Sequence, residues 1–458
     1  MIMKNGHNCW ITEQATKISF LTDSESYFKA FYDTAINARK SIFIIGWDIH
    51  SRLVLLRDDE DHPYPVELGE FLNALARERP DLEIYILSWD FAMIYVFERE
   101  TFPVFQLDWK THGRVRFQLD NSHPPGGSQH QKIVVIDDTV AFTGGIDLGT
   151  MRWDTADHIP DDERRKDPSG SYYQPFHDIQ VAMEGPAAAQ FGRIARSRWE
   201  RATGESINHI ETNTSPWPVS LEPDLINNPV SISRTYPVYN QYPEIREIEY
   251  FYHDAITSAK KSIYIENQYL TSKLVGDLLC QRLEEEDGPE IVIIGPLKMA
   301  GWMEETTMGI RRSRLLQSLE ESDKYKRLKV MYPVAGDGKT LINVHAKVMI
   351  VDDTLLHLGS SNLSNRSMGL DSECDITIEA TGADSTSLFI ENFRNRLLCN
   401  HMDIELDEFN NTLEKKGSLI KGIESIDAGG KTLKDLETEI PPILTTLTPD
   451  INLVDPEK

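Results

Sequence analysis

The chain repeats itself once at long range, and this duplication restricts its possible folds more than any other feature. FYDTAINARKSIFIIGWDIHS (31–51) aligns with FYHDAITSAKKSIYIENQYLTS (251–272), at an offset of 220 to 221 residues. HQKIVVIDDTVAFTGGIDL (130–148) aligns with HAKVMIVDDTLLHLGSSNL (345–363), 215 residues later. HDIQVAMEGPAAAQFGRIARSRW (177–199) aligns with CDITIEATGADSTSLFIENFRNRL (374–397), 197 residues later. Short periods of about 20–50 residues, the mark of solenoids and propellers, are absent. Two similar halves are expected, not an array.

Each half opens with an amphipathic helix whose basic last residues suit a helix C-terminus, and runs on into an apolar strand. Because the offset falls from 215 to 197, the first half carries about 18 extra residues, within DTADHIPDDERRKDPSGSYYQP (154–175). The charge, Pro and Gly content of this stretch marks an excursion that either lines a site or is solvated. The expected organisation is a first repeat over 1–212, a Pro-, Asn- and Ser-rich linker over 213–238, a second repeat over 239–401 and an acidic tail over 402–458. The tail shows no strand pattern, and DEFNNTLEKKGSLIKGIESI (407–426) reads as one helix.

The net charge of −26, from 47 basic against 73 acidic residues, opposes nucleic-acid binding, which needs a basic footprint. No apolar run reaches the roughly 18 residues of a membrane span, so no transmembrane anchor is expected. MIMKNGHNCWITEQ lacks the basic and apolar regions of a secretory signal, which predicts a cytoplasmic location, with signal-independent export as the alternative. Cys9, Cys280, Cys374 and Cys399 form no CxxC pair, so neither a disulfide framework nor a zinc site is indicated.

The apolar, β-branched segment QKIVVID (131–137) reads as a buried strand. Residues two apart on a strand share a face, so His130 and Lys132 can meet one ligand while Asp137 points from the other face. The same holds for His345, Lys347 and Asp352. Asp137 and Asp352 are therefore expected to be structural, anchoring their own backbone or the turn that follows. The pattern His-x-Lys-x₄-Asp is weak alone, but finding it twice at equivalent places in a repeat is not coincidence.

The doubled motif resembles the signature pair of the phospholipase D superfamily, most closely soluble bacterial members. IENQYL (265–270), GGIDLGTMRWD (144–154), GSSNLSNRSM (359–368), PFHD (175–178) and DSE (371–373) also resemble that family. The resemblance covers roughly residues 20 to 400. It implies an α/β fold of two homologous domains with mixed sheets flanked by helices, related by a pseudo-two-fold, with one shared active site. It further implies that His130 is the nucleophile, forming a phosphohistidine, and His345 the general acid and base. Lys132 and Lys347 would hold the phosphoryl oxygens.

Acids on the strand after each motif would orient the histidines, and the matching positions are Asp178 and Glu373. The internal repeat instead pairs Asp178 with Asp375, so both second-half acids stay open. Asp147 and Asn362, each just past a Gly turn, would line the phosphate pocket, or else cap their turns. The chemistry runs on these side chains, with no metal or other cofactor required and calcium stimulation left open. The expected partners are a phospholipid at a membrane surface or micelle and a water or alcohol acceptor, with no nucleic acid. A monomer is expected, since one chain holds both motifs.

Within the superfamily, a nuclease is disfavoured by charge, and a cardiolipin-synthase-like phosphatidyltransferase by the lack of N-terminal membrane helices. Tyrosyl-DNA phosphodiesterases lack the motif aspartates kept here at 137 and 352. A non-catalytic scaffold would have lost a motif His or Lys. His112, His123, His158, His253, His357 and His401 are expected to be core or surface residues. GDGKT (336–340) reads as a hairpin turn and not a phosphate loop, because position 333 is Pro. Trp47, Trp89, Trp109, Trp153 and Tyr269 could face a lipid headgroup, with core packing as the simpler expectation.

Overall fold

A computed structural model describes residues 1–58, 60–90, 112–209, 212, 214–299, 302–382, 384–427, 429–436 and 455–456. The first half runs β1 (Ile11–Leu21), α1 (Ser24–Ala35), β2 (Ser41–Gly46), α2 (Leu68–Glu78), β3 (Glu83–Trp89), β4 (Val115–Asp120), β5 (Ile133–Ile136), β6 (Val140–Gly144), β7 (Phe176–His177), β8 (Gln180–Glu184) and α3 (Pro186–Thr203). The second runs β9 (Leu225–Tyr236), β10 (Ile245–Arg246), α4 (Glu247–Ser258), β11 (Ser262–Asn267), α5 (Lys273–Glu284), β12 (Glu290–Ile294), α6 (Trp302–Ser322), β13 (Leu328–Val334), β14 (Asn343–Val344), β15 (Lys347–Val351), β16 (Leu355–Gly359), α7 (Asn365–Gly369), β17 (Glu373–Glu379) and α8 (Ser385–Met402). α9 (Leu406–Lys416), α10 (Leu419–Glu424) and β18 (Thr432–Asp435) follow.

All strands but β7 and β14, which pair with each other, form one mixed sheet in the order β18-β13-β12-β11-β15-β16-β17-β9-β1-β8-β6-β5-β2-β3-β4, with β10 added beside β9. The two expected half-sheets are thus joined edge to edge. β1 and β9 pair antiparallel at the seam, with Ile11 opposite Ile232 and Ile18 opposite Leu225. This corrects the reading of 213–238 as a linker, since β9 is a central strand. Pro229 and the flanking Asn residues hid it, whereas buried Val230 and Ile232 fix its pattern.

Both faces of the sheet are covered, so its strands are apolar on both sides. On β2, Ile42 and Ile44 pack with Phe28, Phe31 and Leu72 of α1 and α2. Phe43 and Ile45 face the layer that holds Phe191 and Trp199 of α3. In the second half α4 and α5 take the places of α1 and α2, covering Ile263 and Ile265. Burying these large side chains contributes about 1.5–3 kcal/mol each against unfolded exposure.

The tail differs from its expected form. Gly417, at φ 63, ends α9, so the expected single helix is two. Phe409, Leu419, Ile420 and Ile423 enter the central core, and β18 pairs antiparallel with β13. Buried Asp455 accepts from Thr271 Oγ1 at 2.8 Å and Arg366 N at 2.9 Å. The stretch 154–175 is neither open nor merely solvated. Buried Asp154 gathers Arg165 at 3.0 Å, His158 Nδ1 at 2.9 Å and the Phe176 N–H at 2.8 Å.

Among the expected core or surface histidines, His158, His357 and His401 are buried and His253 is exposed. Asp337 accepts from Lys339 N and Thr340 N with Gly338 at φ 70, as a hairpin turn requires. No helix among the described residues is long and apolar enough to cross a membrane. Trp153 is core, and Trp109 lies outside the described residues.

Candidate active site

The motif strands β5 and β15 each lie three strands from the seam strand of their half, β1 or β9, and the chain just before each is stitched to the opposite half. β14 pairs in parallel with β7, and His345 N donates to His177 O at 2.8 Å. At the pseudo-equivalent place Gln129 bridges Ser372, and His130 N donates to Ser372 O at 3.0 Å. Each histidine is thereby laid beside the acid that follows the other motif. His345 Nδ1 meets Asp178 Oδ2 at 2.6 Å, and His130 Nδ1 lies 3.0 Å from both oxygens of Glu373. The histidine side chains are 13% and 9% exposed and both acids 0%, so the rings face the cleft with carboxylates behind them. With Nδ1 engaged, Nε2 is left for the ligand.

Of the two second-half acids left open, Glu373 touches the histidine. Asp375 is occupied elsewhere, accepting from Ser360 N and Ser361 N and meeting His357 Nε2 at 2.9 Å. Glu373 is itself held by Ser360 Oγ at 2.5 Å and Ser367 Oγ at 2.7 Å. These serines, both inside GSSNLSNRSM, were not singled out from the sequence. The double glycine 144–145 has a steric reason, since a Cβ on Gly145 would overlap the Asp178 carboxylate.

The lysines lie beside the histidines, but their surroundings differ. Lys132 Nζ pairs with Asp147 Oδ2 at 3.1 Å, while Asp147 Oδ1 accepts from Trp47 N at 2.9 Å. Lys347 Nζ meets only neutral groups, Gln268 Oε1 at 3.2 Å, His345 Nδ1 at 3.2 Å and the His345 carbonyl. The cause is the residue after the Gly turn. Position 362 is Asn, and its buried Oδ1 has no hydrogen-bond partner. Gln268, part of IENQYL, was likewise missed as an individual.

Asp137 and Asp352 face away from the cleft, as their spacing requires. Their partners differ from the expected ones, because each reaches across to the start of the neighbouring strand, β2 or β11. Asp137 accepts from Arg39 N, Lys40 N and Ser41 N at 2.8, 2.7 and 2.9 Å, and Asp352 from Lys260 N, Lys261 N and Ser262 N at 2.7, 2.6 and 3.0 Å. The basic residues before β2 and β11 are capped by the motif aspartates, which ties the first repeated block to the second.

The dry, cation-rich cleft disfavours charge. Burial, then Lys132 and Lys347, push His130 well below the usual imidazole range, and burial, then Lys347 and Arg152, do the same to His345. Burial brings Lys347 down to about 7 and lifts Asp178 to about 6. Burial, then Asp375 and Asp371, drive Glu373 well up, against the serine hydrogen bonds. Strong shifts in both directions among these neighbouring groups make this the candidate functional site. Trp47 stacks on Trp89 at 5.5 Å and lies edge-on to His130 at 6.5 Å, so two of the singled-out tryptophans do reach the site. Behind the site, His177 and His401 hydrogen-bond opposite oxygens of Glu266 at 2.7 and 3.0 Å. The two ring nitrogens and the carboxylate that accepts from them, with one potential ligand atom from each residue within 4.8 Å of the others, join the halves.

The family model described as "Cardiolipin synthase, PLD-like domain" matches residues 252–397. Phospholipase D A of Dictyostelium discoideum is 24% identical over 464 residues, 84% of this chain and 36% of that protein. Phospholipase D alpha 1 of Carica papaya is 24% identical over 476 residues, 74% of this chain and 58% of that protein. The chain thus spans well under two thirds of the length of these relatives. In fold it is similar to the phosphatidylserine synthase of Haemophilus influenzae, with a TM-score of 0.56 at 15% identity over 90% of this chain and 95% of that one. By the family model over residues 252–397, and by the phospholipase D relatives over most of its length, the chain is similar to the phospholipase D superfamily.

Proposed function

We propose that the protein is a phospholipase D, which hydrolyses the distal phosphodiester of glycerophospholipids, phosphatidylcholine or a similar lipid, to phosphatidic acid and free headgroup. The observation that carries this reading is the crossed pairing of His130 with Glu373 and of His345 with Asp178, beside two buried lysines. Nε2 of His130 attacks phosphorus, and the P–O bond to the headgroup breaks while His345 gives its proton to the departing oxygen. Asp178 steadies the imidazolium of His345 before the transfer. Lys132 and Lys347 hold the non-bridging oxygens as charge builds on them. In the second step His345 takes a proton from water, the hydroxide attacks phosphorus, and the P–N bond to His130 breaks. An alcohol in place of water gives transphosphatidylation.

The test is headgroup release from a panel of phospholipids with and without chelator and ethanol, with single-stranded DNA alongside. Phosphatidic acid, and phosphatidylethanol when ethanol is present, are expected with chelator. Activity on DNA alone, or only on metal addition, refutes the reading. His130→Ala abolishes a trapped phosphoryl-enzyme, while His345→Ala lets it accumulate. Mapping the phosphate to His345 reverses the two roles. A cardiolipin-synthase-like phosphatidyltransferase would use the same residues, and product analysis with a phosphatidylglycerol acceptor separates the two.

A further inference from the structure

The duplicated site is not symmetric in charge, and the asymmetry lies on the His345 side. Arg152 stands in the first half, just ahead of the inserted stretch. Its guanidinium sits 5.2 Å over the Phe176 ring, and that ring lies 5.3 Å from the ring of His345. The charge of Arg152 reaches the site, since it acts on both His345 and Lys347. The side chain is half-buried, and Nε is buried with no hydrogen-bond partner. No carboxylate among the described residues pairs with it. The buried arginines Arg165, Arg196, Arg198, Arg366 and Arg394 each hold an Asp, and the half-buried Arg57, Arg79, Arg114 and Arg327, which likewise pair with no carboxylate among the described residues, donate to main-chain carbonyls, whereas Arg152 does neither.

The second half offers no counterpart. Position 367, which corresponds to 152 in the repeat, is a serine that donates to Glu373, and neighbouring Arg366 is closed by Asp371 at 2.7 Å. The phosphoryl oxygens already have two lysines related by the pseudo-two-fold. A third, unpaired cation on one side only has a different ligand to meet. In the proposed mechanism the departing headgroup lies on that side, because His345 gives it the proton.

We propose that Arg152 binds a carboxylate carried by the headgroup of the substrate and so determines headgroup preference, which rests on the phospholipase D reading above. Planar guanidinium and carboxylate match in a two-point, charge-assisted contact, and the partial burial of Arg152 limits screening. A serine-type headgroup has this group, an ethanolamine-type headgroup differs from it only by lacking the carboxylate, and a choline-type headgroup brings only positive charge towards Arg152, so the proposal narrows the substrate from phosphatidylcholine to a serine-type lipid.

The test is calorimetric binding of glycerophosphoserine and glycerophosphoethanolamine to the full chain, in wild type, Arg152→Gln and Arg152→Lys, with melting curves to show that each variant is folded. The wild type is expected to prefer the serine diester by about 10–100-fold, the range for one charge-assisted contact. Arg152→Gln brings the two diesters together, and Arg152→Lys, which keeps the charge, retains part of the preference. Equal binding by the wild type overturns the proposal. So does an equal loss for both diesters in Arg152→Gln, which would make Arg152 a clamp on the scissile phosphate. Release of serine against ethanolamine from mixed vesicles is measured in parallel. Preference among soluble diesters without any lipid cleavage refutes the phospholipase reading and leaves the Arg152 site standing.

Discussion

The two catalytic-motif lysines are expected to have opposite effects on stability. Lys347 is 1% exposed, and its ammonium faces two neutral acceptor side chains and a carbonyl with no ion pair. Burial takes it from 10.5 to about 7, so at neutral pH folding must either strip its proton or bury its charge. The shift corresponds to at most about 5 kcal/mol. Relaxation of the site lowers that figure, and Lys347→Met leaves the Gln268 and His345 oxygens without a donor, about 1 kcal/mol each. The net expectation is that Lys347→Met is more stable than wild type by about 2 kcal/mol while losing activity. Lys132→Met strands the buried Asp147 carboxylate and is less stable by about 3–5 kcal/mol.

The pH dependence gives the sign a second check. Between about 7 and 10.5 the unfolded chain keeps a proton on Lys347 that the folded chain has lost, so this group makes wild-type stability rise with pH by about 1.4 kcal/mol per unit. The advantage of Lys347→Met therefore shrinks over the same window. Urea denaturation followed by tryptophan fluorescence at about pH 7 and about pH 9.5 measures both quantities. A Lys347→Met variant less stable than wild type at pH 7, or an advantage that grows with pH, refutes the reasoning.

Two further expectations follow from the same geometry. kcat/KM should be a narrow bell, falling as pH drops through about 6, where Asp178 gains a proton, and falling as pH rises through about 7, where Lys347 loses one. Lys347→Arg should move only the alkaline limb, and to higher pH, in a pH–rate profile. Asp137→Ala removes the acceptor of three backbone N–H groups and should lower stability by about 2–4 kcal/mol in denaturant melts, with turnover at low temperature kept, because Asp137 faces away from the cleft.

The duplicated blocks carry the topology in the sequence because each is a local pattern of helix, strand and turn. Their offsets alone bring His130, Lys132, His345 and Lys347 to equivalent places. What was hidden depended on contacts between distant segments. β9 looked like a linker because Pro229 and Asn227 outweigh four alternating residues in any local window, and only pairing with β1 and β17 makes it a strand. The choice between Glu373 and Asp375 turned on His357 and the Ser360 and Ser361 N–H groups claiming Asp375 first. β18 was illegible because a four-residue edge strand carries too short a pattern to register.

A duplicated fold gives both histidines the same position, yet the proposed mechanism asks one to bond phosphorus and the other to move a proton. The chain breaks the equivalence with single residues. Asp147 pairs directly with Lys132, whereas Lys347, with Asn362 at the equivalent position, has no direct ion pair and feels Asp178 and Glu373 only through space. Arg152 adds a further cation on the same side as Lys347. Lys347 and Arg152 work against the imidazolium that Asp178 supports, which in the proposed mechanism suits His345 to giving its proton to a leaving group. His130 sits against a lysine whose charge is already met and a glutamate that can keep the shared proton on Nδ1, which leaves the Nε2 lone pair for phosphorus. Position 147 or 362, and not the motif itself, is then where the division of labour between the two halves is set.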